Sequence, residues 1–274
     1  MSKLNTAERS RIVRCLVDGV SIRGTVRITG ASKNTIAKLL VELGAACSEY
    51  LDKTLVNLDS KRIQCDEIWS YVAAKEKNVT PKMAEQKFCG DAWTWVAIDA
   101  DTKLICSWLV AKRNAESASQ FIDDLAGRLR HRIQLTTDGM RLYVAAVDDA
   151  FGEQIDYAQL VKIYGKAEGE EKRYSPAKCI GCETHRMTGN PDPDHINTSY
   201  IERQNLTMRM SMRRFTRLTN AFSKKLENHI ATVAIHTMYY NFVRIHQTLR
   251  VTPAMASGLA DRLWDVEDLV GLLG

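Results

Sequence analysis

The 274-residue chain holds no apolar run approaching the roughly 18–20 residues of a membrane-spanning helix, which excludes a helical membrane protein. It opens Met1-Ser-Lys-Leu-Asn5, without the apolar stretch of a secretory signal, so a cytoplasmic protein is expected. Seven cysteines, at 15, 47, 65, 89, 106, 179 and 182, form an odd and scattered set that suits reduced thiols and not a disulfide framework. No internal repeat occurs. The most telling absence is local: residues 203–225 contain no Asp or Glu, although they carry Arg203, Arg209, Arg213, Arg214, Arg217, Lys224 and Lys225. Solvated helices ordinarily mix signs, so an unbalanced cationic stretch headed by a single acid, Glu202, points to a polyanion partner.

The charge that is present is unevenly spread. The formal net charge is only +5, yet residues 1–57 carry nine Lys/Arg against five Asp/Glu, and residues 200–250 carry nine against two. Two separated basic regions suit a protein that touches nucleic acid at two places. In the first, Thr6 is expected to cap a helix to about Val17, and Ser21 a second helix to about Ile28 that Thr29-Gly30 closes. Ser32 is expected to cap a third, Asn34–Leu43, whose Ile36, Leu39, Leu40 and Leu43 recur at helical spacing. That order is a helix-turn-helix pattern, whose second helix would present Ser32, Lys33, Asn34 and Lys38 to a DNA major groove. The plainer alternative is a three-helix packing unit without a ligand.

Residues 46–60 read as a connector, after which the period changes. Arg62–Val72, Trp93–Ile98 and Lys103–Val110 alternate as strands, the last two joined as a hairpin by Asp99-Ala-Asp-Thr102. An amphipathic helix is expected over Glu116–Leu129, a strand over Ile133–Thr137, a helix over Met140–Ala150 and a strand over Asp156–Tyr164. Residues 165–197 read as irregular, and two long helices over about 199–212 and 219–244 follow. The fold class is α/β: a mixed sheet, made of an antiparallel edge hairpin on mostly parallel strands, flanked by helices and preceded by a small all-α domain.

Three acids stand where elements begin or end. Asp66 lies in an apolar strand, where a charge is costly unless a metal or a partner neutralises it. Strand alternation sends its neighbour Glu67 to the other face, so one ligand is expected from the pair. Asp138 follows a strand at the carboxyl edge, where α/β sheets place their sites; capping the next helix is the alternative. Glu202 lies in the first turn of a helix, where compensation of the helix dipole is the alternative. Asn205 and Arg209 share its helix face. Asp99 is better explained by its turn, and His246 by packing or a phosphate contact. Cys179-Ile-Gly-Cys182 with His185 or His195 has only partial zinc-ligand spacing.

Taken together, Cys65-Asp-Glu-Ile-Trp-Ser-Tyr-Val72, Thr137-Asp-Gly139, Ser199-Tyr-Ile-Glu-Arg-Gln-Asn-Leu206 and Tyr240-Asn-Phe-Val-Arg-Ile-His-Gln-Thr-Leu249 with Thr252-Pro-Ala254 resemble the DDE transposases of bacterial insertion sequences, most closely the insertion-sequence-one family. The resemblance covers about residues 60–255. It implies an RNase H-like catalytic domain over 58–255, after a helix-turn-helix domain and connector over 1–57 and before a tail over 256–274. It also implies a bacterial, nucleoid-associated enzyme with Asp66, Asp138 and Glu202 as catalytic residues. A cysteine zinc finger common in that family is missing, since residues 1–20 hold only Cys15, and zinc-assisted end recognition is not implied.

All-oxygen ligation favours Mg²⁺ or Mn²⁺. Two such ions about 3.5–4 Å apart can activate the attacking oxygen and steady the leaving one. Asp66 is expected to bridge them, with Asp138 and Glu202 completing one each. Arg203, Asn205, Arg209, Arg213, Arg214 and Arg217 are expected on double-stranded DNA, both transposon ends and target, within a homodimer or larger synaptic complex. A structure-selective nuclease of the same fold and a non-catalytic DNA-binding regulator are the alternatives.

Overall fold

The computed structural model describes residues 4–165, 179–216 and 221–274. Three helices come first: α1 (Thr6–Val17), α2 (Ile22–Thr29) and α3 (Lys33–Thr54). Ser21 and Ser32 cap α2 and α3 as expected, each accepting a backbone N–H. The first cap is Asn5 and not Thr6: its side chain accepts from the Glu8 N–H at 2.9 Å while the Glu8 carboxylate accepts from the Asn5 N–H at 2.8 Å. Gly30 ends α2 at φ +76°, a backbone conformation that suits glycine.

The sheet has six strands: β1 (Arg62–Val72), β2 (Gly90–Asp99), β3 (Ile105–Ala111), β4 (Gln134–Asp138), β5 (Asp156–Tyr164) and β6 (Cys179–Thr188). Their spatial order is β3-β2-β1-β4-β5-β6. β1, β4 and β5 run parallel; the β1–β2, β2–β3 and β5–β6 pairings are antiparallel, so the sheet is mixed as expected, with the antiparallel pairings more numerous than a single edge hairpin supplies. β6 replaces part of the irregular segment expected over 165–197.

Between and after the strands come α4 (Pro81–Gln86), α5 (Ala115–Arg128), α6 (Arg141–Phe151), α7 (Ser199–Ser211), α8 (Leu226–Met238), α9 (Pro253–Ala256) and α10 (Val266–Gly271). Alternation along β1 sorts the core into two layers. Ile63 and Cys65, with Trp95, Leu135 and Tyr157, pack beneath α5 and α6 through Phe121, Ile122, Leu125, Tyr143 and Val147. Ile68, with Val96 and Ile98, packs beneath α7 and α8 through Ile201, Met208 and Val233.

α3 continues through most of the expected connector because Cys47 and Leu51 prolong its apolar stripe, and both are buried. Its later half lies against α8 so closely that a Cβ added to Gly44 would stand 2.4 Å from the Ala231 Cβ. After Tyr239–Val243, a turn of π-helix, the chain folds back. Trp264 packs on Tyr50 of α3 and on Phe242 at ring separations of 5.1 and 5.2 Å. Arg14 of α1 grips Glu267 of α10 at 2.8–2.9 Å. Asn241 is fully buried, and its amide both donates to the Ile105 carbonyl and accepts the Ile105 N–H at 3.0 Å, extending the β3 edge. No described helix is long and apolar enough to cross a membrane.

Candidate active site

Parallel pairing of β1 with β4 stops at Cys65 opposite Thr137. The next residue on each strand is an acid, Asp66 and Asp138, so two carboxylates emerge side by side at the carboxyl edge. β4 ends there, which leaves that flank of β1 open, and Glu67 reaches the same gap. Carboxylate oxygens of Asp66, Glu67 and Asp138 all lie within 4.8 Å of one another. Both members of the Asp66–Glu67 pair therefore reach the cluster, where the alternation rule expects only one. Alternation separates the two side chains at their roots, but no neighbouring strand continues between their tips.

Each carboxylate is held differently. Asp66 accepts the Asn205 amide at 2.8 Å and the Glu67 backbone N–H at 2.8 Å. Asp138 accepts the Met140 N–H at 3.0 Å, which orients it across the Gly139 turn. The Glu67 side chain is 1% exposed and pairs with Arg113, whose Nε donates at 2.6 Å; the Tyr143 hydroxyl donates to its other oxygen at 3.2 Å. Glu202 accepts the Thr198 hydroxyl at 2.5 Å and pairs with Lys162 of β5. Glu202 stands outside the three-carboxylate cluster but lines the same cavity of about 820 Å³, with Arg113, Lys162, Asn205 and Arg209.

Electrostatics follows from this crowding. Burial, then the nearby Asp138 and Glu202 charges, push the Asp66 carboxyl up to about 6 against the Glu67 N–H and the Asn205 amide. Burial and the Asp138 and Asp66 charges push Glu67 up to about 7 although Arg113 opposes the shift. Burial disfavours the Lys162 ammonium, yet its hydrogen bond to Glu202 and the Glu202 charge outweigh that and raise its pKa. Carboxylates that repel one another in this way have a deficit of positive charge, and the donor set is all oxygen. The Asn205 carbonyl oxygen is buried without a partner beside them. Asp66, Glu67 and Asp138 thus fit a hard divalent cation.

Gln64, two residues before Asp66 on the same strand face, sets the position of α7. Thr198 makes no side-chain cap there. Instead the Gln64 carbonyl oxygen accepts the Tyr200 and Ile201 N–H groups at 2.9 and 3.1 Å, and its amide donates to Asn197 at 2.7 Å. β1 therefore grips α7 at its start through Gln64 and one turn further on through Asn205.

The other expected contacts divide. Ser32, Lys33, Asn34 and Lys38 are exposed at the start of α3. Arg203 and Arg213 are exposed, while Arg209 lines the cavity. Asn205 is only 4% exposed, donates its amide to Asp66 and lines the cavity. Arg214 is half-buried and donates to Ser223 at 2.9 Å, beside the buried His229, and burial lowers its pKa to about 10. Arg217 lies outside the described residues. Asp99 serves its turn, accepting the Asp101 and Thr102 N–H groups at 2.7 and 3.1 Å. Among the described residues, no third ligand gathers with Cys179 and Cys182.

Arg113, Lys162, Gln64 and Thr198 carry no signal in the sequence. Glu67 does, as a second acid inside an apolar strand, and only the alternation rule sets it apart from Asp66.

Residues 85–178 match a family model described as a DDE domain, of the IS240 type. That span includes Asp138 but neither Asp66 nor Glu202. No curated protein matches the chain. Among solved structures, a pre-cleavage Mos1 transpososome is 11% identical, over 57% of this chain and 60% of that one, with a TM-score of 0.25. A Mos1 paired-end complex with the left transposon end is 12% identical over 54% and 58%, with a TM-score of 0.22. The chain thus spans about three fifths of the length of these Mos1 chains. A piggyBac transposase synaptic complex with hairpin DNA is 10% identical over 99% and 71%, with a TM-score of 0.41.

Proposed function

We propose that the chain is a DDE transposase of a bacterial insertion sequence, which cleaves DNA at the element's ends and joins them to target DNA. The observation that carries this reading is the meeting of Asp66, Glu67 and Asp138 in one cavity with Glu202 and Arg209. The DDE-domain match over 85–178 supports it. Sheet order β3-β2-β1-β4-β5, in which only β2 runs antiparallel to the middle strand β1, supports the RNase H-like reading. Membership of the insertion-sequence-one family rests on the motifs of the sequence alone, while the matched model is of the IS240 type.

Mg²⁺ or Mn²⁺, held by Asp66 and Asp138 with Glu67 or Glu202 completing the set, would supply Lewis-acid activation of the attacking and leaving oxygens. The chain's own residues do the rest. Gln64 and Asn205 hold β1 and α7 in register, so that Asp66 and Glu202 face one cavity. Arg209 and Arg113 place positive charge on the cavity wall, where a phosphodiester must sit. The Lys162 ammonium holds Glu202 until a ligand competes for that carboxylate.

Outside the cavity, α1–α3 serve as a helix-turn-helix that reads the terminal inverted repeats through Ser32, Lys33, Asn34 and Lys38. Arg203, Arg213 and Arg217 add phosphate contacts. Holding two ends at once calls for a dimer or larger assembly.

The test is a joining assay with labelled end oligonucleotides, target DNA and Mg²⁺. Covalently joined strands are expected from the wild type and none from Glu202→Gln. Nicked product without joining would favour a structure-selective nuclease; full activity in Glu202→Gln would assign the third position to Glu67, and full activity in Asp66→Asn or Asp138→Asn would overturn the metal-site reading.

A further inference from the structure

The layer of helices over β1 stops short of the strand's far end. Cys65 lies beneath α5 and α6, and Glu67 is still capped by Tyr143. Trp69 and Tyr71, on the same strand face, are only half-buried, as is Trp93 opposite Trp69 on β2. The Trp69 and Tyr71 ring centroids are 5.7 Å apart, and Phe222 stacks on Tyr71 at 4.9 Å with the planes 29° apart. A row of rings thus begins beside Glu67 and runs along β1 away from the catalytic edge.

Cations are interleaved with the rings. Lys75 lies 5.9 Å from both the Trp69 and Tyr71 ring centres. The Arg113 guanidinium lies 4.7 Å from the centre of Trp93 while pairing with Glu67 and lining the catalytic cavity, so it joins the row to the site. Residues 73–89, which link β1 to β2, carry four lysines against two glutamates. One of those acids, Glu76, is occupied by Lys112 and the Asp91 N–H. Half-buried tryptophan and tyrosine rings at the end of a sheet, among lysine and arginine, meet the two needs of an unpaired DNA strand: stacking for its bases and positive charge for its phosphates.

We propose that Trp69, Tyr71 and Trp93, with Lys75 and Arg113, form a stacking platform for unpaired bases of the DNA strand that leaves the catalytic cavity. The platform rests on the reading of the chain as an enzyme acting on DNA. It adds a specific requirement, that one strand be unstacked next to the site. A double helix offers its bases only edge-on, so the platform favours melted or single-stranded DNA over duplex.

Binding of a labelled oligodeoxythymidine and of a duplex is measured by fluorescence anisotropy with chelator present, so that no cleavage contributes. Trp69→Ala is expected to weaken single-strand binding about 5- to 100-fold and duplex binding less. Trp69→Phe, which keeps an aromatic face, is expected to stay near wild type. A measurement on the wild-type protein covers the chance that Trp69→Ala misfolds: an oligonucleotide carrying iododeoxyuridine should photo-crosslink to Trp69, Tyr71 or Trp93. Unchanged single-strand affinity in a folded Trp69→Ala, or cross-links only elsewhere, overturns the platform while leaving the joining assay free to uphold the catalytic reading. A wild type that neither binds nor joins DNA overturns both.

Discussion

The Asn205 amide donates to Asp66 at 2.8 Å from nearly two turns inside α7, and its own carbonyl oxygen lies buried with no partner. An amide so enclosed acts on the reaction through the carboxylate it orients. Asn205→Ala is therefore expected to lower the joining rate about 10- to 100-fold, the usual cost of losing a group that orients a ligand. Affinity for end DNA measured in chelator should not change. A matched loss of DNA affinity would return Asn205 to the DNA surface.

Gln64 supplies the cap that Thr198 does not. Gln64→Leu leaves the Tyr200 and Ile201 N–H groups without their acceptor, and a stability loss of about 1–3 kcal/mol is expected by denaturant titration. Because α7 carries Glu202, the joining rate should fall further than unfolding at the assay temperature explains. Wild-type activity in a destabilised Gln64→Leu would show that α7 is placed by its core packing alone.

Acid stability combines opposed groups. Burial, with help from the Arg214 and Arg244 charges, lowers His229 and His236 to about 3, below the ordinary 6.5. Their contribution is present above pH 6.5 and is lost as pH falls, since the unfolded chain takes up protons that the native state refuses. Asp66 and Glu67, raised to about 6 and about 7, act in the opposite sense. They penalise the native state at alkaline pH and relieve it as pH falls toward about 4. Stability in chelator should be nearly flat between about pH 6.5 and 4.5 and fall steeply below about 4. Asp66→Asn should abolish joining, raise the melting temperature at pH 8 and steepen the decline between pH 6 and 4. A melting temperature at pH 8 that is unchanged or lower would contradict the assigned burial of Asp66.

Gly44 sits mid-helix, where alanine ordinarily gains about 1 kcal/mol. Here the new methyl would meet the Ala231 Cα and Cβ at 2.4–2.5 Å. Overpacking should win, so Gly44→Ala is expected to destabilise by about 1–3 kcal/mol. A stabilised variant would mean that α3 and α8 separate easily.

Much of the fold was legible because burial on one face of an element leaves a period behind. β1 and β5 carry the bounds expected of them, and α5 and α6 fall within one residue of theirs. α3 was cut short at Leu43 because Gly44-Ala-Ala46 breaks the visible stripe of large residues, although Cys47 and Leu51 resume it. β6 was invisible for the opposite reason: nearly every side chain on it is exposed, so neither face imprints an alternation, and only its pairing with β5 defines it. Within the site, Asp66 could be read as a charge inside an apolar strand and Asp138 as an acid at a strand end. The meeting of Glu67 with them could not, because it depends on where a neighbouring strand stops, which no local pattern records.

The contact of α3 with α8 has a mechanical consequence. Twenty-two residues of helix at about 1.5 Å each make a rod of roughly 33 Å, close to one turn of B-form DNA. One end of the rod is Ser32, and its later half is clamped where Gly44 meets Ala231. On the proposed helix-turn-helix reading, DNA gripped at the Ser32 end would be presented to Asp66 at a set distance, and α3 would act as a measuring arm. Inserting or deleting a few base pairs between the recognised sequence and the cut should then stall cleavage, and should not move the cut along with the recognised sequence.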